Sequence, residues 1–229
     1  MNLQDRKQLI EDSIRKACLR SGRARQDVEV IAVTKYVNLG ITEQVLEQGW
    51  LHIGENRWQD AQEKWEKLGS RGTWHFIGHL QSNKVKDVIG KFQYIHSLDR
   101  ISLVREIERQ AELRQMEAYC FIQVNVSGEL SKFGLSAEQF FPFVEALKAF
   151  PHIRIAGLMT MAPHEKKPEE TRPVFRGLRL LRDQLNERNI LGYEVPHLSM
   201  GMSNDYEVAI EEGSTWIRLG SILVGKDEE

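Results

Sequence analysis

The sequence predicts an α/β fold in which eight parallel strands alternate with helices and close into a (β/α)8 barrel. Three features of the chain predict this fold. Short apolar segments recur along its whole length, amphipathic segments with helical periodicity separate them, and a polar or glycine-rich exit follows each apolar segment. A doubly wound open sheet is the alternative, because periodicity cannot show whether the sheet closes.

The first strand carries the clearest candidate for chemistry. Val28 to Thr34 is apolar and rich in β-branched residues, as expected of a parallel strand covered on both faces, and Lys35 follows it. In α/β folds the ligand site lies at the carboxyl ends of the strands. Lys35 is therefore a candidate for an amine that forms a Schiff base, and the alternative is a solvated lysine that opens a loop.

The other elements follow in regular order. Further strands are predicted at residues 50–53, 73–77, 92–96, 118–126, 153–161, 195–199 and 215–219. Helices are predicted at residues 2–21, 41–48 and 57–68, after Ser82, at 99–115, from 136 to about 151, at 168–189, and in a short segment ending near 212. Ser82, Asp99 and Ser136 are the expected N-terminal residues of their helices. The extra N-terminal helix can close the bottom of the barrel, and no linker divides the single domain 1–229.

The composition excludes several classes of protein. With 41% hydrophobic and 28% charged residues and a net charge of −2, the chain is typical of a globular protein and lacks the basic footprint of a nucleic-acid binder. No apolar segment reaches the length of a membrane span, and the N-terminus lacks the apolar core of a signal peptide, so we expect a cytoplasmic location. Cys18 and Cys120 are expected to be reduced thiols, and no spacing of cysteine or histidine indicates a metal site.

The exits of the strands would converge on one mouth of a barrel. They carry Lys35, Asn56, His79, Ser97, Asn125, Ser127, Met161, residues 199–203 and residues 218–221. The last two exits are rich in glycine and serine, which favours a phosphate cradle of backbone N–H groups, with ordinary tight turns as the alternative. A Schiff-base lysine beside a phosphate site fits either a sugar-phosphate aldolase or a pyridoxal phosphate (PLP) protein.

One segment then carries a resemblance to a known family. Residues 74–84, Trp-His-Phe-Ile-Gly-His-Leu-Gln-Ser-Asn-Lys, resemble the signature of the YggS/PROSC family of PLP homeostasis proteins. The resemblance extends over nearly the whole chain, through residues 33–35, 54–56, 131–134, 198–205 and 218–221. The family is similar to the N-terminal barrel domain of alanine racemase, so the resemblance implies that barrel, of PLP fold type III.

The resemblance also implies a cofactor and its ligands. PLP would be held as an internal aldimine on Lys35, near Asn56, with Arg218 facing the pyridine nitrogen. The phosphate would be held by Ser199, Gly201, Ser203, Gly220 and Ser221. An arginine does not readily give up a proton, so it disfavours a protonated ring and leaves a weak electron sink. We therefore expect no catalytic residue and no metal.

Two functions stay open at this point. The first is a carrier or buffer in intracellular PLP (vitamin B6) and amino-acid homeostasis, a monomer without robust turnover, with PLP-requiring apoenzymes as recipients. The second is a PLP-dependent amino-acid racemase, which needs acid/base groups on both faces of the α-carbon. Lys35 supplies one such group, and the chain ends soon after the eighth strand, which favours the carrier.

Other polar residues receive weaker assignments from the sequence. Lys132 is either a solvated loop lysine or a transient amine that takes PLP during loading and release. His52, His75 and His197 lie inside strands and are expected in the core or on the bottom face. His79 receives no catalytic role.

Overall fold

The computed structural model describes residues 2–129, 132–163 and 167–225. Within these ranges, eight parallel strands close into a barrel in chain order. The strands are β1 (Glu29–Val33), β2 (His52–Glu55), β3 (Thr73–Phe76), β4 (Tyr94–Leu98), β5 (Ala118–Gln123), β6 (Ile153–Met159), β7 (His197–Ser199) and β8 (Trp216–Leu219). Because β8 pairs with β1, with Ile31 opposite Arg218, the predicted barrel is confirmed and the open sheet is excluded.

Helices follow the strands and cover the outside of the barrel. They are α1 (Leu3–Arg20), α2 (Leu39–Glu47), α3 (Trp58–Leu68), α4 (Val85–Val88), α5 (Ile101–Leu113), α6 (Ala137–Leu147), α7 (Pro168–Glu187), α8 (Tyr206–Glu211) and α9 (Ser221–Val224). None of the described helices is long and apolar enough to cross a membrane.

The extra N-terminal helix α1 is present as predicted, but it lies along the side of the barrel and not across its bottom. Its apolar face is buried, and it packs along α8 and α9 on the side of the barrel. Arg20 on α1 pairs with Glu207 and Glu211 of α8 at 2.8 and 2.6 Å. These contacts place α1 beside the loops that leave β7 and β8.

Of the three residues predicted to begin helices as caps, Ser136 caps its helix, whereas Asp99 and Ser82 do not. The Ser136 side chain accepts from the N–H of Gln139 and caps α6. The Asp99 carboxylate instead pairs with the Arg100 guanidinium at 2.7 Å, so α5 begins after Arg100 without a side-chain cap. Ser82 begins a 3-10 turn, Ser82–Lys84, which comes before α4.

The second strand begins and ends two residues later than predicted, which moves Gly54 and Glu55 from the exit into the strand. Glu55 lies opposite Phe76 in the register of β2 and β3. Its side chain is fully buried, and the carboxylate has hydrogen-bond partners inside the protein. The fourth strand is shifted in the same way and includes Ser97. A polar side chain at a buried strand end resembles a loop residue in the sequence.

The core has two parts. The larger part lies between the strands and the helices. A small second cluster lies inside the barrel and consists of Ile31, Phe121, Ala156, Met159 and Trp216. Buried polar side chains, among them His75, His96, Ser199 and Arg218, share the barrel interior with this cluster, and the candidate site lies at the carboxyl ends of the strands.

Candidate functional site

Lys35 lies in a turn directly after β1, at the mouth of the barrel. Its side chain is half-buried, and the amine lies 4.7 Å from the ring centroid of Tyr36. Tyr36 itself is 76% exposed, so both residues of the turn reach the surface of the protein. Among the described residues, the Lys35 amine has no hydrogen-bond acceptor and no carboxylate partner, which leaves it accessible to a ligand.

A buried ion pair supports the turn of Lys35 from behind. Lys64 of α3 donates to Glu55 Oε1 at 2.9 Å and to the carbonyl oxygen of Thr34 at 2.7 Å. The Thr34 hydroxyl donates to the same carboxylate oxygen at 2.6 Å. Burial raises the pKa of Glu55, although the Lys64 charge and the two hydrogen bonds oppose this effect. This cluster was not predicted from the sequence, although Lys64, a lysine on the apolar face of a predicted helix, was a signal that could have found it.

Asn56 leaves β2, the strand beside β1. It lines a cavity of about 530 Å³ together with His79, Gln81 and Lys84. The backbone approaches closely here, because a Cβ atom on Gly78 would lie 2.2 Å from the Asn56 carbonyl oxygen. Asn56 is thus held against the exit of β3, in a cavity different from the one that contains the serines of the last two loops.

The loops after β7 and β8 share one cleft of about 1400 Å³, which Ser203, Asn204, Ser221 and Arg6 help to line. The tight path of the first loop depends on Gly201, whose φ is +92° and whose added Cβ atom would lie 2.6 Å from the Ala209 Cβ atom. The backbone N–H of Arg218 donates to the Gly201 carbonyl oxygen at 3.0 Å. The loop is therefore held directly beside β8.

Gly220 brings the last loop next to Lys35. A Cβ atom on Gly220 would lie 3.7 Å from the Val33 Cβ atom, two residues before Lys35. Since β8 and β1 are hydrogen-bonded neighbours, the Gly220–Ser221 loop and the Lys35 turn leave the barrel side by side. The structure thus brings together the turn that carries Lys35 and one of the two predicted phosphate loops.

Arg218 lies inside the barrel and is 5% exposed. Its Nη1 donates to Ser199 Oγ at 2.6 Å, and its Nη2 donates to the Thr160 carbonyl oxygen at 2.9 Å. Burial lowers the pKa of Arg218 to about 10, and the carboxylate of Asp205 opposes that shift. The guanidinium is therefore still charged at neutral pH, and its remaining N–H groups have no acceptor among the described residues.

Ser199 does not lie in the open cleft with Ser203 and Ser221. Its side chain is fully buried, and Oγ contacts both Arg218 Nη1 and His96 Nδ1, the latter at 3.0 Å. Its hydroxyl thus lies below the mouth and already has two partners. The role of His96 was not foreseen from the sequence, where it appeared only as the last residue of a predicted strand.

Lys132 lies in the loop after β5. Its amine is 3.2 Å from Glu129 Oε2 and 3.5 Å from the Met161 carbonyl oxygen, which follows β6, and its side chain is 19% exposed. The resembling segment 131–134 includes Ser131, which lies outside the described residues. Across residues 2–129, 132–163 and 167–225, no cluster of three or more histidine, cysteine or acidic side chains could hold a metal ion.

Comparisons with known proteins agree with this architecture. Residues 12–228 match the family model of the alanine racemase N-terminal domain. A protein of Aquifex aeolicus named pyridoxal phosphate homeostasis protein is 42% identical over 228 residues, which cover 99% of each chain. The solved structure of PipY from Synechococcus elongatus with PLP bound is 32% identical, covers 93% of this chain and 99% of that chain, and has a TM-score of 0.81.

A more distant structure shows the fold alone. Alanine racemase of Clostridium difficile is 14% identical, with a TM-score of 0.75 over 97% of this chain and 56% of that chain. The matched family model and the long, full-coverage relatives agree with each other. The chain therefore belongs to the alanine racemase N-terminal domain family, and within it to the pyridoxal phosphate homeostasis proteins.

Proposed function

We propose that this chain is a PLP-binding protein that acts in PLP (vitamin B6) and amino-acid homeostasis. The observation that carries the proposal is the side-by-side exit of the accessible Lys35 amine and the Gly220–Ser221 loop, next to the buried cation of Arg218. The name of the Aquifex aeolicus relative and the PLP bound to PipY support the choice of this cofactor.

The donors at the mouth fit a phosphorylated pyridine aldehyde. PLP, when bound, supplies an aldehyde to which a lysine amine can attach, and an electron-withdrawing ring. Lys35 is the amine that would hold it. Arg218 has N–H groups without an acceptor in the described part of the chain, and these can face the ring nitrogen. Asn56, directly after the neighbouring strand β2, would flank the pyridine ring of PLP.

The phosphate would lie against the loops after β7 and β8. The hydroxyl groups of Ser203 and Ser221 and the backbone N–H groups near Gly201 and Gly220 are the donors we assign to it. We assign a different task to Ser199. Its buried hydroxyl contacts Arg218 and His96, so it supports the guanidinium from below instead of binding phosphate directly.

The role that this site supports best is that of a carrier or buffer. A guanidinium at the ring nitrogen does not supply the proton that strong carbanion chemistry needs, and Lys35 is the one group to which we assign proton transfer. The single domain would act as a monomer in the cytoplasm and pass PLP to PLP-requiring apoenzymes. The two buried free thiols, Cys18 and Cys120, fit that reducing compartment.

The central test is covalent trapping of the cofactor. Purified protein is incubated with PLP and reduced with borohydride, and the labelled peptide is mapped by mass spectrometry. Label on Lys35 in the wild-type protein, and its loss in Lys35→Ala, are the expected results. Lys132→Ala is the matched control, because it removes another amine near the mouth and should keep the label on Lys35. Label on Lys84 or Lys132 alone in the wild-type protein would refute the assignment.

A second measurement separates a carrier from a racemase. Inversion needs a group on each face of the α-carbon, whereas one lysine can only remove and return a proton on the same face. PLP-loaded protein should therefore exchange the α-proton of L- or D-alanine slowly with deuterium at most, without accumulating the other enantiomer. Inversion that depends on Lys35 at ~1–10³ per second, the usual enzymatic range, would establish a racemase.

A further inference from the structure

Three histidines form a continuous line through the interior of the barrel. His52 Nδ1 lies 2.9 Å from His75 Nε2, and His75 Nδ1 lies 3.0 Å from His96 Nε2. His96 Nδ1 in turn lies 3.0 Å from Ser199 Oγ, which accepts from Arg218 Nη1 at 2.6 Å. The line connects the cation near the mouth with the opposite end of the barrel, where His52 Nε2 is 3.9 Å from the exposed Glu29 carboxylate.

The Arg218 guanidinium determines the direction of the hydrogen bonds at one end of this line. A guanidinium has only donors, so Ser199 Oγ must accept from Arg218. The Ser199 hydroxyl proton is then free to point at His96 Nδ1, which must accept it. A neutral histidine has one donor and one acceptor nitrogen, so His96 donates from Nε2 to His75 Nδ1. By the same rule His75 donates from Nε2 to His52 Nδ1.

The opposite direction satisfies fewer groups. If His96 donated from Nδ1, Ser199 Oγ would accept from both His96 and Arg218, and its own proton would have no acceptor among the described residues. A buried polar group without a hydrogen-bond partner destabilises the folded state. The direction that starts at Arg218 is therefore favoured, and it places all three histidines in the same tautomer, with the proton on Nε2.

The surroundings keep these rings neutral. Phe121 stacks on His96 with ring centroids 4.3 Å apart, and Tyr94 stacks on His75 at 5.1 Å. Burial holds the pKa of His75 and His96 well below the ordinary value, with the neighbouring histidine and Arg218 acting in the same direction. The histidine rings are therefore neutral, and their dipoles can align along the hydrogen-bonded line.

We propose that His96, His75 and His52 are positioning residues for Arg218: they form a polarised hydrogen-bond relay with the acceptor nitrogen of every ring turned towards the guanidinium. The aligned dipoles stabilise the buried cation together with Asp205 and the carbonyl oxygen of Thr160. They also hold Ser199 Oγ as an acceptor, which fixes the plane of the guanidinium. The benefit of this fixed plane to a bound pyridine ring rests on the proposed function, whereas the relay itself is a property of the cofactor-free chain.

The experiment reads the tautomers directly. Two-bond ¹H–¹⁵N correlation spectra of cofactor-free protein at pH 7.5 distinguish a protonated ring nitrogen from an unprotonated one. The signals are assigned by their loss in His52→Gln, His75→Gln and His96→Gln. We expect Nε2–H and unprotonated Nδ1 in all three rings of the wild-type protein. A proton on Nδ1 of His75 or His96, or a charged ring at either position, would overturn the relay.

Substitution of the cation tests the cause of the alignment. Arg218→Met keeps a long side chain without donors, so His96 should show a mixed or reversed tautomer. His197 is the internal control, because it also lies inside the barrel, stacked on Trp216 at 4.8 Å, but is not a link of the relay. Its signals should not change. Wild-type tautomers in a folded Arg218→Met protein would overturn the proposal.

Substitutions of Ser199 provide a second route if Arg218→Met does not fold. Ser199→Ala removes the hydroxyl between Arg218 and His96, so His96 should show a mixture of tautomers. Ser199→Thr keeps a hydroxyl and should restore the Nε2–H tautomer of His96. Identical His96 signals in both variants would contradict the relay. Because no cofactor is present, these results do not depend on PLP binding. PLP trapped on Lys35 in a protein with the wrong tautomers would leave the proposed function standing and remove only the relay.

Discussion

The Lys64 amine donates to the carbonyl oxygen of Thr34 at 2.7 Å, one residue before Lys35. The same amine holds the buried carboxylate of Glu55, one residue before Asn56. A single cation on α3 thus connects the exits of the first two strands. The position of the proposed PLP-binding amine therefore depends on an ion pair beneath the surface of the mouth.

Removal of this cation should destabilise the protein. Lys64→Met leaves the Glu55 carboxylate buried with the Thr34 hydroxyl as its remaining partner, and an unpaired buried charge costs about 3–5 kcal/mol. Urea unfolding measures the loss. The double variant Lys64→Met/Glu55→Gln should recover part of it, because the charge itself is then gone. A double variant no more stable than Lys64→Met would show that the two residues do not interact.

The phosphate group should supply much of the affinity for the cofactor. Charge-assisted hydrogen bonds to phosphate are stronger than neutral ones, so pyridoxal without phosphate should bind far more weakly than PLP. Ser203→Ala should weaken PLP binding by about 1–3 kcal/mol, because a hydrogen bond to a charged phosphate oxygen would be lost. Ser127→Ala, in the loop after β5, is the control and should have no effect. Titrations followed by absorbance measure all three; equal binding of pyridoxal and PLP would rule out a phosphate site.

Lys132 should affect transfer of PLP but not its attachment. Its amine is held by Glu129 and the Met161 carbonyl oxygen at the exits of β5 and β6, which is close enough to the mouth for a transient role. Lys132→Ala should keep borohydride trapping on Lys35 and slow the transfer of PLP to an apoenzyme. Transfer is followed by the recovery of apoenzyme activity. Unchanged transfer kinetics would make Lys132 an ordinary loop lysine.

The stability should fall as the pH drops below about 6.5, the ordinary value for histidine. In the folded protein burial holds the pKa of His75 and His96 well below that value, so the unfolded chain binds protons that the native protein does not. The free energy of unfolding then decreases by up to ~1.4 kcal/mol per pH unit for each histidine. This loss begins near pH 6.5 and continues down to the lowered folded-state pKa values.

Urea unfolding between pH 7 and pH 5 measures the slope, in a window above the ordinary pKa of most carboxyl groups. His75→Gln removes one buried titrating group and should reduce the slope. A wild-type slope of zero would mean that the buried histidines accept protons without cost to the native state.

The sequence by itself determined the eight alternating strands and helices and the end of the strands at which a ligand site would lie, whereas the pairing of β8 with β1 decided that the sheet closes. Buried parallel strands must be apolar over their whole length, so segments such as the one before Lys35 are visible without a structure. The rule that ligand sites lie at the carboxyl ends of strands then placed Lys35, Asn56 and the loops 199–203 and 218–221 at one end of the sheet, and the family resemblance implied which of these residues bind PLP. The alternation of strands and helices is a local property, and the local sequence encodes it.

Only the tertiary structure decided which polar side chains meet inside the barrel. Glu55 looked like an exit residue and His96 looked like the last residue of a strand, because nothing in the sequence marks a single polar residue at a strand end as buried. Their partners come from distant segments: His96 meets Ser199 across 103 positions of the chain, and Arg218 meets Thr160 across 58. Such contacts depend on the stagger of the closed sheet, which is set by the pairing of all eight strands at once.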